Sequence, residues 1–192
     1  MYKRLKKNTE WSILNLGKFN IDSIKNEVSN FSEEWLLDKS RQKKGYTHAD
    51  TEMFRICETD YEWVVGEPLI TNQRNSLKTK LAQDELDIIH KTLEEYYSGK
   101  VIRSEFIKLK SNSFIRKHVD GGAMLHYSRR VHIPIITNPL TTFTVMDNTI
   151  HMEEGLWYEI NNQMPHAVVN ATNFDRTHLI VDVMPDDMLY YI

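Results

Sequence analysis

Arg130-Val131-His132-Ile133-Pro134-Ile135 alternates Val, Ile and Ile with Arg, His and Pro at period two. Such alternation predicts a strand with one packed face, here Val131, Ile133 and Ile135, and a second face bearing Arg130 and His132. Runs of similar texture lie on both sides: Val101 to Leu109, Val131 to Thr137, Thr142 to Met146, Thr149 to Met152, Trp157 to Ile160, Ala167 to Asn170 and His178 to Met184. Turn-forming residues separate them, at Asp120-Gly121-Gly122, Asn138-Pro139, Asp147-Asn148, Glu154-Gly155 and Asn173-Phe174-Asp175. Many short strands with this punctuation predict an antiparallel sandwich or barrel, and their number fits a jelly roll.

The first half reads differently. Ile21, Ile24, Val28, Phe31 and Trp35 recur at helical spacing, predicting a helix over Ile21 to Leu37 with Asn20 or Asp22 as its cap. Lys39 to Asp50 is polar and reads as a loop. Met53 to Ile56 and Tyr61 to Val65 read as short strands around a turn at Glu58-Thr59-Asp60. Leu86, Ile89, Leu93 and Tyr96 or Tyr97 share one stripe of a helix over Asp84 to Tyr97, with Gly99 as its stop. The expectation is one domain over residues 1–192. A mostly helical part with short strands (1–99) precedes a β core (100–185), giving a mainly β fold with flanking helices.

Composition excludes several classes. The 192 residues suit a single core. Twenty-four basic and 27 acidic residues leave a formal charge of -3, so nothing argues for a nucleic-acid or membrane-surface partner. The cluster Lys3, Arg4, Lys6, Lys7 reads as a solvated terminus. The single cysteine, Cys57, allows no intramolecular disulfide, fits a reducing compartment and reads as a packed residue. No apolar run is long enough to span a bilayer and no signal-peptide pattern opens the chain, so a cytoplasmic location is expected.

The chemistry-bearing residues sit in the β-rich half. In an extended strand His118 and Asp120 point the same way and can meet at one ion, with His166 as a distant third ligand. Two imidazoles and a carboxylate on one side of an ion leave other positions open, the ligand set of a non-haem iron(II) oxygenase. The His-x-Asp pair alone is a weak signal: His118 could lie at the surface and Asp120 could simply start the Asp-Gly turn. Arg176 strengthens it. It follows His166 by ten residues, and a 2-oxo diacid cosubstrate needs a fixed cation for its far carboxylate, which arginine pairs bidentately. His178 shares a face with Arg176 and Ile180, and either approaches that cosubstrate or packs as a core histidine. His126 lies in an expected loop with no partner at ligand spacing, His151 is expected to face solvent from a hairpin-like strand, and His48 and His90 are expected at the surface.

Together, His118-Val119-Asp120-Gly121-Gly122, Arg130-Val131-His132-Ile133-Pro134-Ile135, Trp157-Tyr158-Glu159-Ile160-Asn161-Asn162, Pro165-His166-Ala167-Val168-Val169-Asn170 and Arg176-Thr177-His178-Leu179-Ile180 resemble the aspartyl/asparaginyl β-hydroxylase-like 2-oxoglutarate oxygenases, which include proline cis-hydroxylases. The resemblance covers about residues 100–185, in the family's order. It implies a double-stranded β-helix (jelly roll, cupin-like), Fe(II), 2-oxoglutarate and O2 as cofactor and cosubstrates, and hydroxylation of an amino-acid side chain with succinate and CO2 released. Residue by residue, it implies metal binding by His118, Asp120 and His166, cosubstrate binding by Arg176, and help from Arg130 and His132. The aspartyl hydroxylase branch lacks the carboxylate ligand, so Asp120 looks more like the proline hydroxylase branch. The substrate would be a small-molecule amino acid or a residue of a peptide or protein. Arg103, Arg116, Lys117 and Arg129 are candidate cations for it.

Other readings share the ligand set. A cupin-like metal or small-molecule binding module would not need Arg176. A hydrolytic zinc site would need a nearby general base. A degenerate scaffold would not need all three ligands.

Overall fold

The structure is a computed structural model and describes residues 11–40, 42, 47–59 and 69–188. The basic cluster near the start, Gly45, Asp60, the expected strand Tyr61 to Val65 and Tyr190-Tyr191 lie outside the described residues.

Among the described residues, eleven strands form two antiparallel sheets. The larger runs in the order β1 (Ile13–Lys18), β9 (Leu156–Ile160), β6 (Arg129–Ile136), β11 (Arg176–Pro185), β4 (Gly99–Leu109), β2 (Thr51–Thr59) and β3 (Thr71–Gln73). The smaller runs β5 (Ser113–His118), β10 (His166–Asn170), β7 (Thr141–Val145) and β8 (Asn148–Ile150). The architecture is the expected mainly β double-stranded β-helix with flanking helices.

Alternation along the strands creates two cores. Val131, Ile133 and Ile135 of β6 and Leu179, Val181 and Val183 of β11 join a core with α1 (Asp22–Ser29) and α2 (Lys80–Tyr97) on the outer face of the larger sheet. Leu109, Ile115, Phe143, Val145, Tyr158, Ile160 and Val168 form a second core between the sheets. Every residue of β11 is buried, as a central strand covered on both faces requires. The inward face of β6 and β11 therefore carries Arg130, His132, Arg176, His178 and Asp182 in a closed interior.

The helices follow their apolar stripes. α2 buries Ala82, Leu86, Ile89, Leu93 and Tyr97. Its start is capped by the Thr79 hydroxyl, which accepts from the Ala82 amide. The two helices also cap each other. Glu27 of α1 accepts from the amides of Lys78 and Thr79, while Glu85 of α2 accepts from those of Ser23 and Ile24.

Several boundaries differ from the sequence expectation. The first helix ends at Ser29, and a 3₁₀ turn, Glu34–Leu36, carries Trp35 into the core. Burial by tertiary packing continues the apolar stripe after the hydrogen-bonded helix has stopped. Met53 to Ile56 is part of a nine-residue strand that includes Glu58 and Thr59. The residues of β1 and β3 showed no alternation that marked them as strands. Gly99 is not the helix stop: Ser98 takes the left-handed conformation at φ 48°, and Gly99 opens β4. Gly99 is needed there because a Cβ would fall 2.2 Å from the Met184 carbonyl oxygen.

Candidate active site

His118 closes β5 and His166 opens β10, and the two are cross-strand partners. Asp120 follows in the loop, its amide donating to the Asn162 carbonyl at 3.2 Å. Gly122, at φ +97°, then turns the chain into the short helix α3 (Ala123–Tyr127). This places His118 Nε2 and His166 Nε2 at 3.6 and 3.8 Å from Asp120 Oδ1. One potential ligand atom from each of the three residues lies within 4.8 Å of the others.

Backbone carbonyls orient both imidazoles. Nδ1 of His118 lies 2.8 Å from the Arg116 carbonyl oxygen, and Nδ1 of His166 lies 2.9 Å from that of Met164. A carbonyl only accepts, so each neutral ring carries its proton on Nδ1 and turns a bare Nε2 lone pair inward. Burial pulls the pKa of His166 below its ordinary value, which favours the neutral form that a metal requires. Burial alone would raise the Asp120 carboxyl, but Arg130 and the two histidines hold it well below the usual carboxylate range. The cluster offers two imidazole nitrogens and one carboxylate, and the donor chemistry fits a divalent first-row metal.

Arg176 opens β11 and is 2% exposed. Among the described residues no carboxylate pairs with it, and its Nε has no partner. Burial alone pulls it down to about 9, which still leaves it cationic at neutral pH. One of its terminal nitrogens donates to His178 Nδ1. The His178 proton therefore sits on Nε2, another buried atom without a partner. His132 lies next in line, with Nδ1 3.4 Å from His178 Nδ1 and an unpartnered Nε2. Burial first, and the Arg176 charge second, hold both histidines well below their ordinary pKa.

Arg176, His178, Thr137, Thr141, Thr142, Phe143, Met152 and Val168 line a narrow interstice too tight to hold a water molecule. Phe143 leads back to the ligand cluster, its ring parallel to that of His166 at 6.1 Å. A surface cleft of about 520 Å³ beside Lys18, Lys25 and Glu154 shares no lining residue with this region.

Arg130 is placed differently from Arg176. Its Nε and one terminal nitrogen pair with Asp182 at 2.8 and 3.0 Å, and its other terminal nitrogen pairs with Asp120. Arg103 is held by Asp182 and Arg129 by Glu159, while Arg116 and Lys117 are exposed. Two residues missed in the sequence stand out. Asp182 shares its face with Arg176, His178 and Ile180 at period two, a signal that was available. Phe143 gave none, because an aromatic in a strand usually means packing. His48, expected at the surface, instead sets its ring edge-on to His118 at 4.8 Å. His90 bonds the Ser104 hydroxyl at 2.8 Å, and burial lowers it to about 4. His126, expected in a loop, is in α3 and bonds Gln163 at 2.9 Å. Cys57 is buried in the helix-side core, and burial pushes its thiol up to about 11, which suits a packed residue.

A double-stranded β-helix carrying a His/Asp/His cluster is the arrangement of the 2-oxoglutarate-dependent iron(II) oxygenases. A model of the aspartyl/asparaginyl beta-hydroxylase family matches residues 18–185, and the chain belongs to that family. It is an oxygenase of the hydroxylase type, and the family works with Fe(II), 2-oxoglutarate and O2. Solved structures share the fold. An oxidoreductase of the 2OG-Fe(II) oxygenase family from Burkholderia pseudomallei is 15% identical, with a TM-score of 0.63 over 93% of this chain and 87% of that one. A viral collagen prolyl hydroxylase from Paramecium Bursaria Chlorella virus-1, in complex with 2OG, is 11% identical, with a TM-score of 0.57 over 91% and 96%. Among the described residues no helix is long and apolar enough to cross a membrane.

Proposed function

We propose that this enzyme hydroxylates an amino-acid side chain, free or within a peptide or protein, with iron(II) held by His118, Asp120 and His166 and 2-oxoglutarate held by Arg176. The observation that carries the reading is Arg176: a buried cation with no carboxylate partner among the described residues, lining the same interstice as His178 and as Phe143, whose ring lies parallel to that of His166. An interior leaves few polar atoms unpaired, and an unpaired buried charge is costlier still. Here Thr137 Oγ1, Arg176 Nε, His132 Nε2 and His178 Nε2 are all unpaired. A dicarboxylate reaching in from the cluster would satisfy the donors and neutralise the cation.

Bound iron(II), with 2-oxoglutarate and dioxygen, supplies the oxidising power that replaces C–H by C–OH while the keto acid leaves as succinate and CO2. The chain's own residues place the reactants. The planar fork of Arg176 pairs with the far carboxylate of the keto acid, and His178 Nε2–H donates to the same end. Phe143, Met152 and Val168 form dry walls that keep water from the reacting atoms. His132 borders the same end of the pocket. Arg130, paired with Asp120, acts on the ligand cluster. The substrate class follows the family, and Asp120 supports the branch that acts on proline-like substrates.

Anaerobic titration of the apoprotein with iron(II) and 2-oxoglutarate tests the reading. The expected result is the weak visible charge-transfer band of a chelated keto acid, absent in His166→Ala and Arg176→Ala. Iron binding without that band would favour a cupin-like binding module instead.

A further inference from the structure

Arg103, Asp182 and Arg130 occupy one row across three adjacent strands. Asp182 of β11 is the register partner of Arg103 in β4 and of Arg130 in β6. Side chains in such a row point to the same face, here the interior that holds the ligand cluster. Asp182 is fully buried and accepts from both arginines. Its Oδ2 takes Nε and a terminal nitrogen of Arg103 at 2.8 and 2.7 Å. Its two oxygens take Nε and a terminal nitrogen of Arg130 at 2.8 and 3.0 Å. A two-point pair of this kind fixes the plane of the guanidinium as well as its position.

Only one end of Arg130 is left to reach elsewhere, and it meets Oδ2 of Asp120. The Oδ1 atom of Asp120 is the one that faces both His118 Nε2 and His166 Nε2. The two oxygens of Asp120 are thereby divided: one is bound to the protein and one is offered to the metal.

We infer that Asp182 is a positioning residue for the metal centre: it aims Arg130 at Oδ2 of Asp120 and so presents Asp120 as a one-oxygen ligand. The inference rests on the proposed ligand set of His118, Asp120 and His166. Asp182 touches neither metal nor substrate and acts through Arg130. The arrangement extends the usual support of a metal ligand by an outer partner to a second link, across a strand pair.

Cobalt(II) titration of the apoprotein, followed by its visible bands, tests this without turnover, since cobalt(II) accepts the same ligands. Asp182→Asn keeps the shape of the side chain and loses its charge. The expected result is cobalt affinity about 10–100-fold weaker than wild type in a protein that still melts cooperatively. The double variant Asp182→Asn with Arg103→Gln removes one charge of each sign, and it should show the same loss if the single variant does not fold. A residue with a purely structural role would lower the melting temperature and leave cobalt affinity in the folded protein unchanged. A folded variant that binds cobalt as tightly as wild type overturns the inference, and so does failure of both variants to fold, which would assign Asp182 to stability alone. His166→Ala is the control for the underlying reading. Cobalt binding that is absent in wild type, or unaffected by His166→Ala, would sink the metal centre itself and this role with it.

Discussion

His118 and His166 face each other across the β5–β10 ladder with ring centroids 4.2 Å apart. Strand register, with an irregularity in the ladder between His166 and Val168, brings them together, since a slip of one residue would send either side chain to the other face of the sheet. Backbone carbonyls then fix which nitrogen each ring presents. The first prediction concerns this pair. His118→Ala and His166→Ala should each weaken metal affinity by more than the roughly 10–100-fold of an outer-partner change. Calorimetric titration of the apoprotein with a divalent metal checks it, and a variant that keeps wild-type affinity would remove that histidine from the ligand set.

Arg176 predicts opposed effects on stability and function. An uncompensated buried cation is a stability cost, so Arg176→Met should stabilise the cosubstrate-free protein by on the order of 1–3 kcal/mol. The same substitution should abolish binding of 2-oxoglutarate. Wild type should melt at higher temperature when 2-oxoglutarate and a redox-inert metal are added, by mass action, and the variant should not respond to the keto acid. Thermal melts with and without the keto acid decide the matter. Stabilisation of the variant by 2-oxoglutarate equal to that of wild type would refute the role of Arg176.

Stability should fall as pH drops from about 6.5 towards 4. Burial lowers His90 from its ordinary 6.5 to about 4, and it holds His132 and His178 well below 6.5 as well. Below 6.5 the unfolded chain takes up protons that the folded chain refuses, so acid favours unfolding until the folded-state pKa is passed. Glu34, held at about 2 chiefly by Lys78, extends the same trend downward from 4.5. Denaturant melts between pH 7.5 and 4.5 should show a decline that is shallower in His90→Gln. An unchanged slope in that variant would mean that His90 is not buried in its neutral form.

A buried network away from the site predicts a large structural effect. Glu159 accepts from Arg129 at 3.1 Å and from the Tyr97 hydroxyl at 3.0 Å, joining β9, β6 and α2. Glu159→Ala should cost about 3–5 kcal/mol because it removes the carboxylate from a buried ion pair with Arg129, whereas Tyr97→Phe should cost about 1 kcal/mol. Urea denaturation measures both. Equal costs would show that the carboxylate and not its charge pairing matters.

Much of this was legible before the fold was known. Period-two alternation in Val131 to Ile135 and Leu179 to Val183 marked strands and their packed faces, because a strand's side chains alternate whatever its partners are. The same local rule placed Arg130 with His132 and Arg176 with His178. The ligand residues were legible because a metal demands specific donor types, and the chain offers few of them in the right pattern. Helix ends were less legible. Trp35 belongs to the apolar stripe of α1 but lies beyond its last hydrogen-bonded turn, since burial constrains side chains and not backbone geometry.

Pairing and partner choice were decided only by tertiary structure. Which strand lies beside β11 sets whether Asp182 meets Arg103 and Arg130, and no local pattern encodes that choice. Sequence alone offered Arg176 as the partner of the cosubstrate's far carboxylate and Arg130 as a helper at the same cosubstrate. The fold separates them, giving Arg130 two carboxylates and Arg176 none among the described residues. The physical reason is range. Alternation and donor chemistry act over a few residues, whereas the burial of a charge and the identity of its counter-ion depend on segments that meet only once the two sheets have closed.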